Sequence, residues 1–136
     1  MKYIIAFLLT FNLYSQEEVP LEYWINDSNF ENKINEKEAF GSNLDQIVVV
    51  EFWAKFNEVN CFGDWDKLED VVYYRVDIAK APEAKKKYKV RMAPTLIIFK
   101  GGVKEKVFKA GLDLVLPAGL EEIQESINEI NTASQF

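Results

Sequence analysis

The sequence predicts an α/β sandwich, a central mixed β-sheet with helices on both faces. Three observations predict it. Ile47 to Ala54 is an apolar run broken only by Glu51, the pattern of a strand buried on both faces. Strand-like and helix-like segments then alternate along the chain. Finally, "APTLIIFKGG" and Val103 to Ala110 read as strand, Gly-Gly turn and returning strand, a hairpin signature. At 136 residues the chain is one domain with one modest core.

The elements follow in order. "MKYIIAFLLTFNLYSQ" has a positive start at Lys2, an apolar stretch from Tyr3 to Leu13 and a small residue at Ser15. It reads as a secretory signal over residues 1–15, cut near Ser15-Gln16. It is too short to span a bilayer comfortably. A buried segment of the mature fold or an uncleaved anchor are the alternatives, since Leu13 is a poor residue three places before the cut. The signal reading places the mature protein outside the cytoplasm, secreted or periplasmic, without stable membrane insertion.

Residues 16–46 form a polar extension with a first helix. Phe30, Ile34 and Phe40 share one helical face, Asn26, Asp27 or Ser28 offer a cap, and Gly41-Ser42-Asn43 ends it. After the 47–54 strand, Asn57 is a good N-cap and Glu58 suits the first turn of a helix reaching about Glu69. Val71 to Ile78 is a second strand, and Pro82 opens the lysine-rich helix "PEAKKKYK". Leu120, Ile123, Ile127 and Ile130 line one stripe of a final amphipathic helix. The domain proper spans 47–132, and 133–136 is a tail.

Composition removes whole classes of chemistry. The chain has no histidine, hence neither the commonest general base nor the commonest metal ligand. One cysteine makes no internal disulfide and no thiolate cluster, so no metal and no cofactor are expected. A net charge of -6 argues against a nucleic-acid or anionic-membrane binder. The charge is uneven. Residues 80–109 hold ten Lys or Arg against two Glu, a local +8, while the remainder holds six against twenty, -14. A solvated helix face with lysines guarding an edge strand accounts for this. A docking patch for an acidic partner is the sharper reading.

Four stretches carry a family resemblance. "VVVEFWA", "YYRVDIAKAP", "KYKVRMAPT" and "LIIFKGG" are similar, in order and spacing, to the central strands, cis-proline segment and hairpin of the thioredoxin family. The resemblance covers about residues 47 to 130. It implies a thioredoxin-like fold with a cis-proline loop at Pro94. It also exposes two departures. The positions matching the family's Cys-x-x-Cys are Asn57 and Asn60, with Cys61 one residue later. The helix that follows is shorter by about two turns, with Gly63 inside it.

Disulfide exchange needs a thiolate attacker and a resolving thiol one turn on. An amide at Asn57 cannot attack sulfur, and Glu58 puts negative charge where the family would develop thiolate. Cys61 is read first as a small apolar filler. A single-thiol redox or mixed-disulfide site and an intermolecular disulfide are its other readings. By resemblance, Glu51 stands where the family keeps a buried acid and Arg75 matches its companion lysine. With no thiol to serve, a Glu51–Arg75 ion pair between neighbouring strands is expected.

The resemblance also implies a groove beside Pro94, bordered by Asn57, Glu58, Met92, Ala93 and Thr95. In the family, backbone in that groove hydrogen-bonds an extended segment. Trp53, Phe56, Phe62 and Trp65 are core candidates, one or two of them fit to line an apolar rim. The reading is a secreted, redox-inactive module that binds protein or extended peptide, with a lone-thiol protein using Cys61 as the alternative. Oligomeric state is left open by the sequence.

Overall fold

A computed structural model of the chain describes residues 19–36 and 45–133. The signal reading, Phe40 and the Gly41-Ser42-Asn43 stop lie outside the described residues. Five strands form one sheet: β1 (Trp24–Ile25), β2 (Ile47–Trp53), β3 (Val72–Asp77), β4 (Thr95–Lys100) and β5 (Val103–Lys109). Their spatial order is β1-β3-β2-β4-β5. β1, β3 and β2 run parallel, β4 lies antiparallel to β2, and β5 antiparallel to β4. β1 was hidden in the polar stretch before residue 47, because two residues carry no periodicity.

Strand alternation sorts the core into two layers. Val48, Val50, Phe52, Val76, Ile97 and Phe99 face one side, where helices α1 (Phe30–Ile34) and α2 (Pro82–Lys87) deliver Phe30, Ile34 and Ala84. Ile47, Val49, Leu96 and Ile98 face the other, covered by Ile123 and Ile127 of α3 (Leu120–Ala133) together with Phe62. The thioredoxin-like sandwich is therefore present, with helices on both faces. Glu51 and Arg75 fall on the α3 side by the same alternation, as registered partners on β2 and β3.

Two helix expectations are corrected. Residues 57–69 form no α-helix. They carry two short 3₁₀ turns, Lys55–Asn60 and Trp65–Lys67. The segment is rich in Asn, Asp and Gly, whose short polar side chains compete for backbone groups or leave the backbone loose. Asp70 closes it at φ 63°. The first helix is only five residues long and is not capped by Asn26, Asp27 or Ser28. Asn26 instead accepts hydrogen bonds from Ser28 N–H and hydroxyl. Asp27 reaches across to α2, accepting from Glu83 N–H at 3.0 Å and Ala84 N–H at 2.9 Å. It caps a helix 56 residues downstream by sequence, with Pro82 filling the position that has no donor to satisfy.

The β4–β5 turn is Gly101-Gly102, at φ 59° and 77°. Both residues in the left-handed region match the twist a two-residue hairpin needs. A side chain at Gly102 would also collide with Asn35.

Candidate functional site

β2 delivers the chain to the C-terminal edge of the sheet, where Ala54 turns it into Lys55–Asn60. Asn57 breaks the turn with a non-helical backbone, φ -127° and ψ 29°. It is not an N-cap. Its side chain is buried, and Nδ2 donates to the Ala93 carbonyl at 2.8 Å and the Leu114 carbonyl at 2.9 Å. Its Oδ1 accepts from Asn60 Nδ2 at 2.8 Å. One amide thus ties three segments together: its own turn, the loop before β4 and the loop after β5.

The peptide bond between Ala93 and Pro94 is cis. Ala93, Pro94 and Thr95 are buried, and Met92 is half-buried. The loop's carbonyls are used internally. Thr95 hydroxyl donates to Met92 O at 2.6 Å, Asn57 to Ala93 O, and Ala110 N–H to Pro94 O at 3.0 Å. The structure therefore brings Asn57, Ala93 and Pro94 together, with Glu58 exposed on the outer side of the turn. The acceptor at Ala93 is already engaged by Asn57.

Apolar exposure surrounds this junction. Phe56 and Val59, on either side of Asn57, are 74% and 89% exposed. Leu112 and Val115, on either side of Leu114, are 99% and 46% exposed. Phe56 is thus no core residue, while Phe62 is buried and Trp53 and Trp65 are half-buried. The 111–116 loop was missed in the sequence. Its signal was there: "LDLVL" places four apolar residues in five outside any predicted strand or helix.

Behind the turn lies a buried polar cluster. Arg75 Nη2 is 3.1 Å from Glu51 Oε1, with Arg75 5% exposed and Glu51 fully buried. Tyr73 hydroxyl donates to Glu51 Oε1 at 2.7 Å, and Phe62 N–H to Oε2 at 3.0 Å. Arg75 also donates through Nε to Tyr73 Oη and through Nη2 to the Phe62 carbonyl. Burial raises the Glu51 carboxyl above its ordinary value, with Arg75, Phe62 N–H and Tyr73 pulling it back in part. Tyr73 and Phe62 were not anticipated as partners, because both contacts depend on how strands and turn meet in space.

Cys61 follows the turn, half-buried beside this cluster. Burial raises its thiol pKa; Arg75 lowers it, and Glu51 and Glu58 add to the rise. A thiol held protonated is a weak nucleophile. Cys61 lines an open cleft of about 1060 Å³ with Trp24, Trp53 and Arg75, and Pro94 is not part of its lining. No group of three or more candidate metal ligands occurs among the described residues, and no described helix is long and apolar enough to cross a membrane.

A parallel-antiparallel sheet of this order, a cis-proline loop facing the turn after the central strand and a buried acid beneath it define a thioredoxin-type domain without its thiol pair. The thioredoxin family model matches residues 23–114, and the chain belongs to that family. Its β1 falls inside the match. Among solved structures, a thioredoxin of Schistosoma mansoni is 20% identical, covering 78% of this chain and 92% of its own, with a TM-score of 0.58. A Malassezia sympodialis thioredoxin is 21% identical, covering 78% and 89%, with a TM-score of 0.58. A designed protein is 21% identical, covering 79% and 95%, with a TM-score of 0.59. At these identities the likeness concerns the fold. No curated protein matches the sequence.

Proposed function

We propose that the protein is a secreted, redox-inactive thioredoxin-like module that captures a partner protein or extended peptide on the loop surface around Asn57. One observation carries the reading. The residue in the attacker's position is an amide committed to the Ala93 and Leu114 carbonyls, while Phe56, Val59, Leu112 and Val115 beside it stay exposed. Exposed apolar side chains clustered on neighbouring loops favour macromolecular contact over solvent, and apolar anchors dominate the energy of such contacts. The engaged Ala93 carbonyl shifts the weight from main-chain pairing to side-chain burial. An acidic partner fits the basic section between residues 80 and 109, and export fits the charge and apolar pattern of the first 15 residues.

The test pairs chemistry with capture. Purified protein should not reduce insulin disulfides above background, and Cys61→Ser should change nothing. Phe56→Asp with Val59→Asp should abolish recovery of a cross-linked partner from the secreting cells' medium, with the melting temperature unchanged. The lone-thiol reading has one observation in its favour, the half-buried Cys61 thiol in a cleft beside Arg75. Insulin turnover that vanishes with Cys61→Ser would establish it instead.

A further inference from the structure

We infer that the cleft floored by Arg75 and walled by Trp24 and Trp53 is a second binding site, for a carboxylate carried on an apolar or aromatic body. It lies on the β1–β3 side of the sheet, where short 3₁₀ turns stand in place of a long helix and leave the strand ends uncovered. Pro94 and the four exposed loop residues around Asn57 do not line it, although Lys55, Glu58 and Cys61 of the adjoining turn do; the inference does not rest on partner capture by those loop residues.

The floor supplies a directed donor. Arg75 uses Nε and Nη2 for its protein hydrogen bonds. No fully buried side-chain nitrogen or oxygen among the described residues lacks a partner, and Nη1 makes none of these bonds, so the guanidinium that lines the cleft beside the Cys61 sulfur keeps a donor for a ligand. A guanidinium edge is a planar, preoriented donor for carboxylate. The walls are apolar. Trp24 and Trp53 meet edge to face with centroids 5.0 Å apart. Trp24 has its indole N–H satisfied by the Val19 carbonyl at 3.1 Å, so it offers the cleft hydrocarbon rather than a donor.

The rim carries both signs of charge. Lys55 and Lys80 line it, both exposed and neither in an ion pair among the described residues. The acids present are Asp77 and Glu58. Asp77 already accepts from Ala79 N–H at 2.9 Å, and Glu58 projects from the exposed side of its turn. Glu51 balances the Arg75 charge from behind, and Asp77 and Glu58 balance the two lysines, so the attraction is one of oriented hydrogen bonds from Arg75 and the rim ammoniums, suited to modest affinity. The volume, about 1060 Å³, is at the upper end for a small-molecule site and open enough for the end of a chain. The same chemistry is offered by a free aryl or alkyl acid and by a peptide's terminal carboxylate.

The experiment titrates the full chain with 3-phenylpropionate, its primary amide, and an acetylated tetrapeptide ending in phenylalanine as free acid or as amide. Tryptophan fluorescence and amide-resolved NMR shifts are the readouts. At least one acid should saturate, with shifts at Trp24, Trp53 and Arg75, and bind at least about ten-fold tighter than its amide. Lys55→Glu with Lys80→Glu, both on the surface and harmless to folding, should weaken that acid by about five-fold or more. Tighter binding of the peptide acid assigns the site to a chain terminus, and tighter binding of phenylpropionate to a small molecule; either supports the inference. Absence of saturation by both acids at about 10 mM, equal affinity for acid and amide, or indifference to the two rim substitutions would overturn it.

Discussion

Three donors hold the Glu51 carboxylate: Tyr73 hydroxyl, Arg75 Nη2 and Phe62 N–H. Removing one partner of a buried pair costs far more than the pair contributes, because the remaining charge stays desolvated. Arg75→Met should therefore destabilise the protein by about 3–5 kcal/mol at neutral pH, measured by urea unfolding. The pH dependence has a definite sign. Burial keeps the native Glu51 pKa above its ordinary 4.5, so between those values the folded state holds a proton the unfolded chain has released. Its contribution to stability is full below pH about 4.5 and falls as pH rises through the folded pKa. In Glu51→Gln that limb disappears. The stability gap between wild type and variant should be widest at the acid end and narrow towards neutrality; a gap that widens with pH would show the opposite shift. Glu51 was legible in the sequence because it is the lone charge in an apolar run. Its Tyr73 and Phe62 donors were not, since one sits on another strand and the other is a backbone group placed by a turn.

At the scale of elements, the 55–60 turn is fixed by side-chain chemistry more than by helix propensity. Asn57→Ala would leave the Ala93 and Leu114 carbonyls without their donor and Asn60 without its acceptor. A buried group left unmatched costs about 1–3 kcal/mol; only the Ala93 bond is fully buried and the other two are part-buried and cost less, so a total loss of about 2–4 kcal/mol is expected. Hydrogen exchange should speed up in both the 55–60 and 111–116 segments, because the same amide anchors both. Exchange confined to one segment would mean the second bond contributes nothing. At the hairpin, Gly102→Ala meets both a left-handed backbone and the Asn35 side chain, and a loss of about 1–3 kcal/mol follows from that strain. The hairpin was readable from Gly101-Gly102 set between the apolar run Leu96 to Phe99 and the strand-like stretch Val103 to Ala110. The turn after β2 was not. Asn, Asp and Glu there satisfy a helix start as well as they satisfy an irregular turn, and the choice was made by carbonyls 36 and 57 residues away. Asp27 shows the same thing, capping α2 rather than the nearby α1.

Among the described residues β5 is the long sheet edge without a further strand beside it, and its residues Val103 to Val107 and Lys109 are exposed. An unpaired strand invites another copy to pair with it. Three features oppose that here. Lys104, Lys106 and Lys109 place positive charge along the strand. The register slips between Ile98 and Phe99, with Ile98 opposite Lys106 and Phe99 opposite Lys104, leaving Glu105 as an extra residue that bends the edge. Two copies pairing antiparallel would also set lysine near lysine, and like charges across strands are unfavourable. The basic section of the sequence is thus divided between this edge and α2, where Lys85, Lys86 and Lys87 follow Pro82. Replacing Lys104, Lys106 and Lys109 together with threonine keeps strand propensity and solubility of the individual side chains while removing the repulsion. Light scattering after size exclusion should then show a larger, concentration-dependent species absent from the parent at the same concentration. Glu105→Pro added to that triple variant removes a backbone donor from the edge and should reverse the association. If the triple variant elutes like the parent at every concentration, the bulge alone protects the edge, and the lysines are free to serve an acidic partner instead.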